Sequence, residues 1–216
     1  MIHFEGFPAV ASGGDLIVYP TQEGPHDIDL WAVRRGPDGW DDPELITGDS
    51  TLAYNQQPAI SADGGAVVFN CGPVSFGQTG ICETGTDGSG FRVVLAPEDA
   101  PAGLPTAEGL HHADYGPDGA IVFEGDWDGE QIWRLTDETA APARMVTAYN
   151  NDNSPCVLPD GRIVSLWLDR PDGPSVHELK VMSADGASFE MILPDVDVLD
   201  IGLGCGATAG PGVDAG

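Results

Sequence analysis

Four stretches of this chain repeat one design, and that constrains the fold more than any other feature. PAVASGGDLIVYP (8–20), PAISADGGAVVFN (58–70), ADYGPDGAIVFEG (113–125) and PCVLPDGRIVSLW (155–167) each read as a short run, a tight turn and an apolar strand. The turns fall at Gly13-Gly14, Asp63-Gly64, Asp118-Gly119 and Asp160-Gly161, 42 to 55 residues apart. Asp-Gly between two strand-like runs is a hairpin signal, because glycine accepts the positive φ that such turns need. Each copy continues into a third run (IDLWAV, GICETG, QIWRL, HELKVM) and a fourth (PELIT, FRVVLA, ARMVTA, FEMILP). Four short antiparallel strands per unit, at a period near 40–50 residues, describe the blade of a β-propeller. One such sheet cannot bury both faces alone, so the units must pack around a ring.

Composition agrees with an all-β chain. Gly (30) and Pro (18) interrupt the 216 residues too often for long helices, while 41% apolar residues suffice for a core. Thirty-five acidic against 8 basic side chains give a formal charge of −27. That field repels phosphate backbones and anionic membrane surfaces, which excludes nucleic acid as a partner and favours cationic or neutral ones. No run approaches the ~20 apolar residues of a membrane span. No signal peptide is legible, so any leader is expected to have been removed.

Four cysteines, Cys71, Cys82, Cys156 and Cys205, lack the CxxC spacing of zinc or redox sites. Cys71 ends one apolar run and Cys82 begins the next, which suits a bridge across a hairpin. Cys156 and Cys205 then tie the C-terminal segment to an earlier strand. Disulfides persist in oxidising compartments, so a periplasmic or extracellular setting is expected. Four buried free thiols in a cytosolic domain are the alternative.

The segments PAISADGGAVVF, YGPDGAIVFEGDWDGEQIWRL and PCVLPDGRIVSLWLDRPDGPSVHELKVMSADG resemble the TolB-type propeller repeat. That pattern runs roughly P-x-[WF]-S-P-D-G before the second strand and D-G before the third. The resemblance spans about residues 5–206 and implies architecture far more than activity. The aromatic usual in the first strand is replaced by Val10, Ile60, Tyr115 and Val157, and no counterpart of the α/β domain that precedes the TolB propeller is expected. The organisation expected is one propeller domain over 1–207, with units at about 5–50, 51–104, 105–149 and 150–199. A closing strand at 200–207 and a flexible tail at 208–216 follow; five blades, the last completed from both termini, is the alternative to four.

In a propeller the first strand of each blade lines the central channel, so the residues before it ring one mouth. Here these are Glu5-Gly6-Phe7, Asn55-Gln56-Gln57, Leu110-His111-His112, Asp152-Asn153-Ser154 and Asp200-Ile201-Gly202. Convergent polar groups of this kind form the expected ligand site: Glu5, Asn55, Gln56, Gln57, His111, His112, Asp152, Asn153 and Asp200. Their oxygens suit calcium, and His111 and His112 with Asp152 and Asp200 suit a transition metal. A histidine-bearing channel is also similar to oligogalacturonate lyases, which use a histidine-coordinated metal. Only two of the five histidines stand at the mouth, and the acidic surface repels an acidic sugar. The loop Asp126-Trp127-Asp128-Gly129-Glu130 resembles part of a calcium loop without the EF-hand spacing, so turn chemistry accounts for it better. GxSxG, HExxH and GxxxxGK[ST] are absent, and Ser175 and His177 lack a partner to orient them. Trp31, Trp133 and Trp167 read as packing residues, and Trp40 and Trp127 as exposed turn residues.

Three functions follow as expectations. The first is a non-catalytic binding module for a protein, peptide or small ligand at the channel mouth or one face. The others are a metal-dependent lyase- or hydrolase-like enzyme centred on His111 and His112, and a calcium-stabilised structural domain.

Overall fold

The computed structural model describes residues 7–74, 77–137, 141–145, 152–169 and 176–193. Blade 1 contains β1 (Ala9–Val10), β2 (Leu16–Thr21), β3 (Asp29–Gly36), β4 (Gly39–Trp40) and β5 (Glu44–Leu45). Blade 2 contains β6 (Tyr54–Ile60), β7 (Ala66–Gly72), β8 (Gly80–Gly85) and β9 (Arg92–Leu95). Blade 3 contains β10 (Leu110–Tyr115), β11 (Ile121–Gly125), β12 (Gln131–Leu135) and β13 (Ala143–Arg144). Blade 4 contains β14 (Asp152–Val157), β15 (Ile163–Asp169), β16 (Val176–Met182) and β17 (Phe189–Leu193). Every sheet is an antiparallel meander in chain order, so the described residues form four blades of an all-β propeller. Blade 1 departs in detail: β5 pairs β3 at Trp31 and Ala32, and the additional β4 pairs it further on at Arg35 and Gly36. The turn before β4 is allowed by Gly39 at φ 132°.

The repeated turns behave as their sequence requires. Gly14, Gly64, Gly119 and Gly161 take φ of 67°, 73°, 81° and 85°, and each donates its N–H to the carbonyl three residues earlier.

Alternation along each strand sends side chains to two different neighbours. Val67, Phe69 and Cys71 of β7 pack on Leu16, Val18, Leu30, Ala32 and Ile46 of blade 1. Val68, on the opposite face, joins Ile81 and Leu95 against Leu110, Phe123, Trp127 and Trp133 of blade 3. At the blade 3–4 interface Val122, Ile132 and Met145 meet Val157, Ile163 and Met182. Strand contacts join blades 1 and 2, 2 and 3, and 3 and 4; among the described residues none joins blade 4 to blade 1. The unshared face of blade 1 accordingly leaves Ile17, Tyr19, Trp31 and Val33 only partly buried. The segment expected to close the ring, residues 200–207, lies outside the described residues.

Trp127 corrects the sequence reading. It is not an exposed turn residue but is 1% accessible, packed edge-on to Phe123 and Trp133 at 5.9 and 4.9 Å, with Nε1 donating to the Pro97 carbonyl. Trp40 is exposed, as expected.

Cys71 and Cys82 form the hairpin disulfide, with Cα atoms 5.8 Å apart on β7 and β8. Cys156 is also disulfide-bonded, whereas Cys205 lies outside the described residues. Closing the 11-residue separation between Cys71 and Cys82 removes chain entropy worth about 3 kcal/mol from the unfolded state. The Cys71→Ala/Cys82→Ala variant should therefore melt roughly 6–12 °C lower. An unchanged calorimetric midpoint would show that the bridge adds nothing to stability.

Candidate functional site

The inner strands of blades 2, 3 and 4 share one irregularity. Register shifts interrupt β6 between Gln56 and Ala59, β10 between His111 and Asp114, and β14 between Asn153 and Cys156. At each bulge a non-glycine residue is left-handed: Gln57 at φ 53°, His112 at 49° and Ser154 at 49°. Such a conformation costs roughly 1 kcal/mol per residue or more, so its recurrence in three blades marks a constraint that packing maintains. Bulges re-aim side chains, and here they lie where the inner strands meet the central space.

That space is a cavity of about 530 Å³ whose wall includes residues from all four blades. Phe7, Pro8, Ala9 and Val10 contribute from blade 1, Gln57 to Ala62 from blade 2, His112 to Pro117 from blade 3 and Pro155 to Pro159 from blade 4. Most of these side chains are apolar or proline. The acids and bases among the wall residues are Asp114, His112 and Tyr115.

A hydrogen-bonded chain ties three blades together at the bulges. Glu124 on β11 accepts from His112 Nδ1 at 3.1 Å and from the Ser154 backbone N–H at 3.0 Å. A carboxylate is acceptor-only, so the proton sits on His112 Nδ1. Gln57 Nε2 then donates to His112 Nε2 at 3.0 Å, and Gln57 Oε1 accepts the His112 backbone N–H at 3.3 Å. Burial pulls Glu124 towards its neutral form. Its hydrogen bonds to His112 and Ser154 outweigh that and hold its pKa below the ordinary value.

Asp114 follows this motif on β10. One oxygen accepts the Val157 N–H of blade 4 at 2.7 Å and the other its neighbour Tyr115 N–H at 2.8 Å. Burial dominates and pushes its pKa up to about 6, against the opposing pull of both N–H groups. Tyr115 Oη donates to Glu83 Oε2 at 2.8 Å, and burial followed by that carboxylate raises its pKa.

The residues expected at the channel mouth separate into two groups. Gln57 and His112 line the cavity, while Asn55, Gln56, His111, Asp152 and Asn153 are absent from its wall. Asn55 is fully buried, accepting from Ser50 Oγ and donating to the carbonyls of Ile28 and Leu52. His111 turns towards blade 2, its Nδ1 accepting from Asn70 Nδ2 at 3.1 Å, and burial lowers its pKa. Asp152 is ion-paired with Lys180, the only lysine, and both are buried. Gln56 and Asn153 are 1% and 8% accessible. Both Gln56 amide atoms and Asn153 Oδ1 find no hydrogen-bond partner among the described residues. Glu5 and Asp200 lie outside the described residues. The bulges do not act alike: Gln57 and His112 reach the cavity wall, whereas Ser154, at the same place in blade 4, is 2% accessible and absent from it.

Of the expected metal set His111, His112, Asp152 and Asp200, the last lies outside the described residues, and among the described ones no group of three or more His, Cys, Asp or Glu side chains converges. The acidic loop has internal partners: Asp126 accepts the Gly109 N–H and Asp128 pairs with Arg144. Sequence reasoning missed Glu124 and Asp114. Each carried a signal, an acid inside the apolar strand IVFEG and an acid where the other blades have Ala9, Ala59 and Cys156.

Blades around a central cavity define a β-propeller fold, and solved propellers are similar to it. TolB from Acinetobacter baumannii superposes with a TM-score of 0.66 at 18% identity, over 87% of this chain and 43% of that one. A puromycin-hydrolyzing peptidase of Mycobacterium tuberculosis matches at 0.63, 13% identity, 91% and 29%. A chain of a nidogen/laminin complex matches at 0.60, 12%, 86% and 63%. This chain thus spans less than two thirds of each relative, and at these identities the likeness is one of fold. No protein-family model and no curated protein matches the chain. Among the described residues no helix is long and apolar enough to cross a membrane.

Proposed function

We propose that this propeller is a non-catalytic, extracytoplasmic binding module that takes a peptide or small ligand in its central cavity. The observation that carries the reading is the cavity itself. About 530 Å³ is within the range of ligand sites, and its apolar wall is marked by a few fixed polar groups where strained bulges lie. His112 is engaged on both ring nitrogens, which favours positioning over proton transfer. The Cys71–Cys82 bridge supports an oxidising compartment. The charge of −27 favours cationic or neutral partners, and association with a cationic one slows as salt rises.

The test is a binding screen of tripeptide amides, each with a free and an acetylated N-terminus, against the wild type and Ala59→Phe. Ala59 lies in the cavity wall, so a bulky ring there occupies the site. Members of the library should bind the wild type and lose at least tenfold in affinity for the variant, while its melting transition remains cooperative. Binding that Ala59→Phe leaves intact would move the site elsewhere.

A further inference from the structure

We infer that the cavity recognises a primary ammonium group attached to an apolar body, such as the N-terminus of a short peptide, with Asp114 as its anchor. The inference rests on the cavity being the ligand site and names what that site selects.

Its basis is a departure from the repeat. Strand register makes Ala9, Ala59, Asp114 and Cys156 equivalent, because their partners on the second strands are Val18, Val68, Val122 and Val164. Three of the four are small, as a narrow channel requires, and one blade has a carboxylate. Asp114 is the only acid among the wall residues, which include no Lys or Arg.

Each Asp114 oxygen accepts one backbone N–H and retains a second acceptor position. The two N–H bonds hold the carboxylate in place, and among the described residues no side-chain cation pairs with it. A ligand that brings a positive charge supplies what the fold omits, and the surrounding Ala9, Ile60, Val157 and Leu158 receive its apolar part. One carboxylate among apolar neighbours is a poor set for a divalent ion, which takes six or more oxygens when it is calcium. A monovalent ammonium with three directed donors suits it better.

The facing groups from each packed strand are few. β6 presents Gln57, Pro58 and Ala59 to the cavity, and β14 presents Pro155, Cys156 and Val157. On β10 itself the titratable neighbours are His112, held by Glu124, and Tyr115, held by Glu83. Ammonium binding should therefore follow Asp114, whose burial places its titration near pH 6. Affinity should fall about tenfold between pH 7 and pH 5.

The experiment compares two probe pairs by isothermal titration. Val-Pro-Leu-amide is set against its N-acetyl form, and cyclohexylmethylammonium against cyclohexylmethanol. The wild type should prefer the charged member of at least one pair by tenfold or more at pH 7. Preference in the peptide pair alone would identify a peptide terminus, and preference in both pairs the ammonium in general. Asp114→Asn should erase the preference, and a tenfold preference that survives in this variant would overturn Asp114 as the anchor. Equal binding of charged and neutral members by the wild type would overturn the ammonium inference and leave the cavity reading standing. Binding of neither probe pair, together with a silent tripeptide screen, would defeat both.

Discussion

Truncating Lys180 to alanine is expected to cost about 3–5 kcal/mol, the range for leaving one buried charge without its partner. Lys180 is 2% accessible and Asp152 is fully buried, and the two form an ion pair between β16 and the start of β14. The ammonium also lies 5.2 Å from the centroid of Phe189. Burial pulls the Lys180 pKa down, and Asp152 opposes it without fully compensating. A buried pair of this kind adds little net stability over well-packed apolar residues of the same volume. Replacing both residues at once, Lys180→Met with Asp152→Leu, should recover most of the loss. Urea denaturation of the two single variants and the double one provides the cycle. Additive losses would show that the two side chains act independently.

Glu124→Ala should produce a loss of similar size, about 3 kcal/mol, because it strips a buried acceptor from both His112 and the Ser154 N–H. The variant also frees the His112 ring, so its effect should reach the cavity as well as the fold. The pH dependence has a definite sign. Glu124 has a folded pKa below its unfolded value, so its contribution is present above the unfolded value of 4.5 and is lost as pH falls through the folded one. Asp114 behaves oppositely: its folded pKa of about 6 exceeds 3.8, so its burial penalty is relieved on acidification from pH 6 towards 4. Removing Glu124 should therefore flatten the acid limb of a stability profile measured by denaturant titration. An acid limb identical to the wild type's would assign it to other carboxylates.

The architecture was readable because its signals are local. A glycine at positive φ and an alternating strand are short-range properties, and four copies of the same hairpin made the blade unit plain from residues such as Asp63-Gly64 and Val67-Val68-Phe69. The second and third runs fall on β7, β8, β11, β12, β15 and β16 almost as their periodicity predicts. The site was less readable because a bulge changes which side chain faces the channel. Counting back from the turn places His111 and His112 together, yet the left-handed residue at 112 sends one ring to the cavity and leaves the other against Asn70. Trp127 misled for a related reason: a loop position by sequence becomes core when neighbouring aromatic rings surround it. Glu124 and Asp114 act through partners on other blades, and no spacing within their own repeat reveals a partner about 30 or 43 residues away.

Mapping a bound ligand onto the protein tests the cavity most directly. In a two-dimensional amide NMR titration with the tightest member of the tripeptide library, the wall residues Ala59, Ala113, Asp114 and Val157 should show the largest shifts, with His112 ring resonances moving in step. Exposed residues on the outer surface, such as Trp40 and Val93, should remain unmoved. Shifts concentrated on those outer residues, with the wall silent, would contradict the assignment of the central cavity as the binding site.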